Sequence, residues 1–594
     1  MAGKVIDING PLVRARLAGV VNGEQVRIGP LGLTGEVIGR EGEEALIQVY
    51  ETTDGLRPGD DAEALGRPLS VELGPGLLGR IFDGVQRPLD RLAEQSGAHI
   101  PLGVHIPSLD RNRKWTFTPA GQLKEGAQVA GGAVLGTVQE TETITHKILV
   151  PPGLKGKLQG LAGSGEYCVE DRVASLTGDD GATHELTLYH RWPVRTPRPY
   201  GQRDHAVAPL ITGQRILDTF FPLLKGGKAA VPGPFGAGKT MVQQQIARWS
   251  NADIVIYVGC GERGNELVDI LDSFPKLTDP HSGRSLMERT FLVANTSNMP
   301  VVAREASVYV GVTLAEYYRD QGYDVVMVAD STSRWAEALR EVAGRLGQMP
   351  VEEGYPAYLA SRLAAFYERA GRVKTFAGDS GSVTIIGAVS PPGGDFSEPV
   401  TSHTKEIVRT FWALSKELAD ARHYPAVSWT ESFSGDVTVT AKWWAEEVDE
   451  NWAPRRAEAL ALLGQAEELQ RIVSLVGPEA LSGEQRWTLE AANMIKEAVL
   501  QQSALDEADS FASPEKQFVL LDLVLQIYYQ GGRLLQRGVP VQQLLTVPVL
   551  SRARRLKSRY NSEQVQDLRG FSRDIKDAFE KLGAEYEQQA EKTP

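Results

Sequence analysis

The chain has 594 residues, 42% hydrophobic and 23% charged, with a formal net charge of -13. That is apolar material for several cores, about four domains as a soft prior, and the acidic total gives no support to phosphate-backbone binding as the main occupation. Two cysteines, Cys168 and Cys260, exclude a disulfide scaffold and suit a reducing compartment.

The opening MAGKVIDINGPLVRARLAG is charged throughout and lacks the apolar core of a secretory signal. Residues 1–70 hold short alternating runs such as VRARLAG and EEALIQVYE between NG, GPLG and GREG turns, the pattern of a small β-barrel. A connecting segment, 71–110, leads to a second β-rich, glycine-rich module at 111–190, closed by the proline-rich WPVRTPRPY at 192–200, which reads as a linker. Across 191–435, apolar runs alternate with helical stretches. Strands are expected at Lys228–Pro232, Asp253–Cys260, Thr290–Ala294, Asp324–Asp330 and Val383–Val389, a mostly parallel sheet with helices on both faces. The tail, 436–594, is helical: Ser482 and Gln485 have capping-box spacing, and Ala491, Met494, Ile495, Ala498 and Val499 follow the helical period. The most apolar run, FVLLDLVLQIYY at 518–529, carries Asp522 and Gln526 and reads as a buried helix, so membrane contact is expected only through partners.

Residues 233–240 read GPFGAGKT, the pattern G-x-x-x-x-G-K-T, with the strand KAAVP before it and the helix MVQQQIARW after it. That context is what the motif needs. Glycines let backbone N–H groups wrap phosphate oxygens, and the following helix directs its positive end at them. Gly233, Pro234, Phe235, Gly236, Ala237, Gly238, Lys239, Thr240 and Met241 form the expected phosphate site. In it Lys239 reaches the β- and γ-phosphates of ATP, or the β-phosphate of ADP, and the Thr240 hydroxyl meets Mg²⁺. The apolar strand YDVVMVAD ends in Asp330, where a carboxylate can orient the water shell of magnesium; alone, a core strand ending in Asp is commonplace. Arg334, just beyond, could sense phosphate or cap its helix. The strand ADIVIYVGC runs into GERGNE, placing Glu262 where a carboxylate can polarise an attacking water; the plain alternative is a surface Glu paired with Arg263.

These motifs, with PLITGQRILDTFFPLLKGG, SNMPVVAREASVYVGVTLAEYYRDQGYDVVMVADSTSRWAEALRE, EEGYPAYLASRLAAFYERAGR, GAVSPPGGDFSEPVT and the early IFDGVQRPLD, resemble the catalytic A subunit of the V-type/A-type rotary ATPases over essentially the whole chain. The resemblance implies a multidomain fold: an N-terminal β-barrel, a β-rich bulge insertion, an α/β RecA-like P-loop core and a C-terminal helical domain. It implies an ATP-hydrolysing and ATP-synthesising translocase of H⁺ or Na⁺. Glu262 would be its general base, with Lys239 and Arg263 in the phosphate network and Asp330 and Thr240 holding magnesium. Tyr424 in HYPAVSW and Phe511 in DSFASPEKQ are the expected adenine-stacking aromatics, although both could equally serve a core. Expected partners are a B-type subunit, which alternates with this chain in an A3B3 hexamer and lends an arginine finger, central and peripheral stalks and, indirectly, a membrane ion-transport sector, on the cytoplasmic side of the cell membrane. Ala237 stands where many vacuolar relatives carry cysteine, so no redox control of the loop is expected and a prokaryotic machine fits better. The competing readings are a hexameric RecA-like nucleic-acid translocase and a non-hydrolysing regulatory subunit. The first wants aromatics in the barrel, where residues 1–70 hold one tyrosine; the second wants an incomplete Lys239, Thr240, Glu262 set. Neither nucleic acid nor a regulatory role is therefore expected.

Overall fold

The computed structural model describes residues 2–97 and 100–592. The chain falls into two compact units: Met1–Ala206 with Lys225–Lys228 and Ala252–Val408, and Val207–Leu224 with Ala229–Asn251 and Arg409–Pro594.

The first unit begins with six antiparallel strands, from Ala2–Asn9 to Asp61–Pro68, closed into a barrel in the order first, second, fifth, fourth, third, sixth. Alternation supplies its core: Val13, Val26, Leu33 and Ile47 point inward with no exposed surface, and closure leaves no strand edge unpaired. The strands between Trp115 and Thr187 form two four-stranded antiparallel sheets. The run 192–200 is no free linker. Trp192 pairs with Val71 in a two-stranded ladder. Arg195 bonds Glu305 at 2.7 and 2.8 Å and Glu36 at 3.2 Å, and the buried Arg198 bonds Asp320 at 2.7 Å. Expecting a spacer there weighed the prolines and overlooked the arginines.

Beyond it, Ile81–Phe82, Thr290–Thr296, Ile254–Glu262, Asp324–Asp330 and Ser380–Val389 lie side by side as parallel strands. All are apolar along nearly their whole length because helices cover both faces. The helix Val301–Arg319 is buried almost all round, which explains why its sequence shows so little amphipathic contrast. Two of the expected strands have the anticipated bounds; Ile254–Glu262 runs two residues further than expected and carries Glu262 as its last residue.

In the second unit, Ala229 and Ala230 pair in parallel with Thr410 and Phe411, which pair antiparallel with Phe433–Ser434. Long helices follow at Trp452–Val476, Gly483–Met494, Pro514–Gln536 and Val565–Lys592. Ser482 and Gln485 form the anticipated reciprocal capping box. The 518–529 run lies within Pro514–Gln536, with Phe518, Leu521, Leu525 and Ile527 buried. Among the described residues, no helix is long and apolar enough to cross a membrane.

Candidate functional site

The strand ending at Pro232 gives way to Gly233–Gly238, and the helix Lys239–Trp249 starts at once. Gly236 and Gly238 have φ of +81° and +89°, so a side chain at either would be strained. Gly233 has no room for a Cβ, which would stand 2.6 Å from Leu414 Cβ. The loop is thus shaped by backbone, with the first-turn N–H groups of an eleven-residue helix at its end and no acidic residue in that turn. Lys239 Nζ folds back to donate to the Gly233 carbonyl at 2.6 Å, a bond internal to the loop. Phe235 and Met241 are exposed, Pro234, Lys239 and Thr240 are half-buried, and Ala237 is buried.

Beside the loop in this unit lies a cavity of about 510 Å³, lined by Ala237, Gly238 and Met241 on one side and by Tyr424, Gln501–Leu505 and Lys557 on another. Tyr424 is 43% exposed, and its ring edge would lie 3.7 Å from a Cβ on Gly238. Phe511 does not line this cavity: it stacks on Trp249 with centroids 5.1 Å apart and planes at 25°. Where the sequence suggested an adenine contact, the ring packs within the fold, with Gly213 also against it.

The cavity wall 501–510 is irregular, and the sequence offers no motif for it. Arg215 holds it. Fully buried, it donates from Nε to the Val499 carbonyl at 2.6 Å, from Nη1 to Asp509 at 2.6 Å and from Nη2 to the Gln501 carbonyl at 2.7 Å. Lys557 adds bonds from Nζ to the Glu497 and Gln501 carbonyls. Burial and the nearby Arg215 charge bring its ammonium down to about 8. Sequence spacing could not have revealed these partners, which lie nearly 300 residues apart for Arg215 and Asp509.

In the first unit, Glu262 closes its strand with its carboxyl pushed up to about 7, first by burial and then by the charges of Asp330 and Glu266. Asp330 is buried at the end of the neighbouring strand, and Tyr257 Oη donates to its Oδ2 at 2.8 Å. Burial and Asp330 together hold the Tyr257 phenol far above its usual range, so it stays a donor. Arg263 starts the next helix as its N-cap, with Nη1 3.9 Å from Glu266 Oε1. Arg334 bonds both oxygens of Glu337 at 3.0 Å, one helical turn on. Cys260 is buried and its thiol is pushed up to about 12 by burial; both cysteines are free thiols.

Among the described residues, no three His, Cys, Asp or Glu side chains are grouped to hold a metal. The Thr240 hydroxyl and the Asp330 carboxylate are hard oxygen donors of the type magnesium takes.

Several comparisons bear on these features. Residues 213–434 match the ATP synthase alpha/beta family, nucleotide-binding domain. Residues 106–195 match the ATP synthase alpha/beta subunit barrel-sandwich domain, 441–543 the C-terminal domain of V and A type ATP synthase, and 1–66 the beta-barrel domain of the alpha/beta family. The V-type ATP synthase alpha chain of Nitrosococcus oceani is 74% identical over 584 residues, covering 98% of this chain and 99% of that one. The A subunit of the A-type ATP synthase of Methanopyrus kandleri is 53% identical over 583 residues, covering 98% of each. The fold is also that of the assembled ATPase EscN from the enteropathogenic E. coli type III secretion system, with a TM-score of 0.63 at 22% identity over 88% of this chain and 100% of that one. With a near-full-length relative at 74% identity and the V/A-specific C-terminal domain both present, the chain belongs to the family of V-type ATP synthase alpha chains and their A-type counterparts.

Proposed function

We propose that this chain is the catalytic subunit of a rotary V/A-type ATPase, turning over Mg-ATP with Gly233–Thr240 as its phosphate loop and Glu262 as its general base. The observation that carries the reading is the state of Glu262. A half-buried strand-end carboxyl raised to about 7, first by desolvation and then by two neighbouring carboxylates, is poised to take a proton near neutral pH, which a subunit that only binds nucleotide does not need. Magnesium, when bound, neutralises charge on the phosphates, and Thr240 and Asp330 are the residues that would hold it.

The chain's own residues then divide the work. Backbone N–H groups of the loop and Lys239 bind the β- and γ-phosphates; for this the Lys239 ammonium exchanges the Gly233 carbonyl for a phosphate oxygen. Tyr424 stacks on the base in the cavity walled by 501–510, while Phe511 supports that wall. Glu262 orients a water for in-line attack on the γ-phosphorus and accepts its proton. Tyr257 keeps Asp330 oriented by its hydrogen bond. Arg263 and Arg334 add positive charge to the phosphate network. An alternating B-type subunit supplies the arginine finger, and stalk subunits link turnover to a membrane ion-transport sector, which places the chain at the cytoplasmic side of the membrane as a peripheral component.

The nucleic-acid translocase reading has little to stand on, because the one tyrosine of the barrel, Tyr50, is 2% exposed and bonded to Glu36, leaving no ring there to stack a base. The test is ATP hydrolysis by the purified chain alone, with its B-type partner and with RNA. Turnover that appears with the partner and is indifferent to RNA is expected; stimulation of the lone chain by RNA would overturn the rotary reading.

A further inference from the structure

We propose that Arg304 is a positioning residue for the reaction: its guanidinium braces the strand-end corner that aims the Glu262 carboxylate. The inference rests on the reading of Glu262 as the base. The strands Ile254–Glu262 and Thr290–Thr296 run in parallel register until it slips between Cys260 and Glu262. A bulge at Gly261 therefore interrupts the regular ladder just before Glu262, which pairs with Thr296. Two further bonds secure the corner. Ser297 N–H donates to the Glu262 carbonyl at 2.9 Å, and Arg304 Nη2 donates to the Ser297 carbonyl at 3.0 Å. Between them, Gly261 has φ of +70°, and a Cβ there would stand 2.7 Å from Arg304 Cδ and 2.8 Å from its Nε. The arginine stem is thus packed directly against the backbone that turns Glu262 out of the sheet.

Arg304 is itself tied down. Its amide bonds the Pro300 carbonyl at 3.2 Å in the first turn of its helix, and its carbonyl accepts from Ser307 Oγ at 2.7 Å and from Cys260 Sγ at 3.4 Å. It is only 9% exposed, and its Nε–H has no hydrogen-bond partner among the described residues. An unpaired buried N–H is destabilising. A methionine would fill the same space without that cost, so packing alone does not explain the residue. The reach of the guanidinium to Ser297 does, and such costs concentrate where geometry serves the chemistry.

The experiment is steady-state ATP hydrolysis and thermal melting of the chain assembled with its B-type partner, for wild type, Arg304→Met, Arg304→Lys, Glu262→Gln and the double variant Glu262→Gln/Arg304→Met. We expect Arg304→Met to lower kcat by about 10–100-fold with KM within about threefold, because a displaced base costs turnover and not binding. Arg304→Lys should regain part of that loss, since an ammonium can still donate to the Ser297 carbonyl. The melting temperature should not fall. The double variant should be no slower than Glu262→Gln alone, because a brace has nothing left to aim. Wild-type kcat in Arg304→Met, KM rising in step with the kcat loss, a lysine variant no better than methionine, or additive losses in the double variant would each overturn the inference while leaving Glu262 as base. Undiminished turnover in Glu262→Gln removes the base reading and this inference with it.

Discussion

The phosphate loop and the Glu262 strand end both follow parallel strands, yet they are prepared in opposite ways. The loop takes its form from local backbone: positive φ at Gly236 and Gly238, a helix that starts at Lys239, and a lysine satisfied by a carbonyl six residues back. Glu262 takes its state from surroundings: burial and the charges of Asp330 and Glu266. A binding geometry can be written into eight consecutive residues, whereas a reactive protonation state has to be assembled from elements far apart in the chain.

The sharpest way to break this contrast is Lys239→Ala. A local loop should lose phosphate affinity and turnover together, with ATP binding falling by about 10²-fold or more, measured by titration with a fluorescent ATP analogue; retained affinity would deny the loop its role. Removing Arg215 tests whether the cavity wall is assembled from a distance. Arg215→Met leaves Asp509 buried without its ion-pair partner, at a cost of about 3–5 kcal/mol to stability, read by chemical denaturation; a change below about 1 kcal/mol would show that the wall stands without it.

Glu262 should also store energy. Its folded-state carboxyl titrates near 7 against 4.5 in a free side chain, so the folded chain binds the extra proton between those values. Stability from this group is therefore present at low pH and lost as pH rises through about 7. Glu262→Gln should be more stable than wild type at pH 8, by about 2–3 kcal/mol of unfolding free energy, and about equal to it at pH 4; an unchanged difference across that range would mean the carboxyl is not strained. Tyr424→Ala should raise KM for ATP by roughly fivefold to 100-fold, the worth of about 1–3 kcal/mol of base stacking, with kcat nearly kept; loss of kcat instead would move Tyr424 out of the base pocket. The smallest effect concerns Cys260, whose buried thiol is pushed up to about 12. Native protein at pH 8 should show no alkylation of it, and labelling there would mean the strand opens far more than its burial implies.

What could be read from the chain follows the same divide. The strand Asp324–Asp330, the capping box of Ser482 and the glycine loop were legible because each is a local pattern with its own physical cause. The buried helix Val301–Arg319 hides its faces because it is apolar nearly all round. Arg215, Arg304 and the pins at Arg195 and Arg198 were not legible, since an arginine in sequence looks the same whether solvated or buried against a partner. Phe511 shows the limit from the other side. From sequence it is an adenine-stacking candidate, yet in the fold its ring lies on Trp249, a choice made only by packing.

The central claim is that the loop binds and the carboxylate reacts, and rapid-quench single turnover of ATP by the assembled Glu262→Gln variant tests it most directly. The account predicts ATP bound at near wild-type affinity and recovered uncleaved, with hydrolysis slowed by about 10²–10⁴-fold. Cleavage of the bound ATP at the wild-type rate would contradict it.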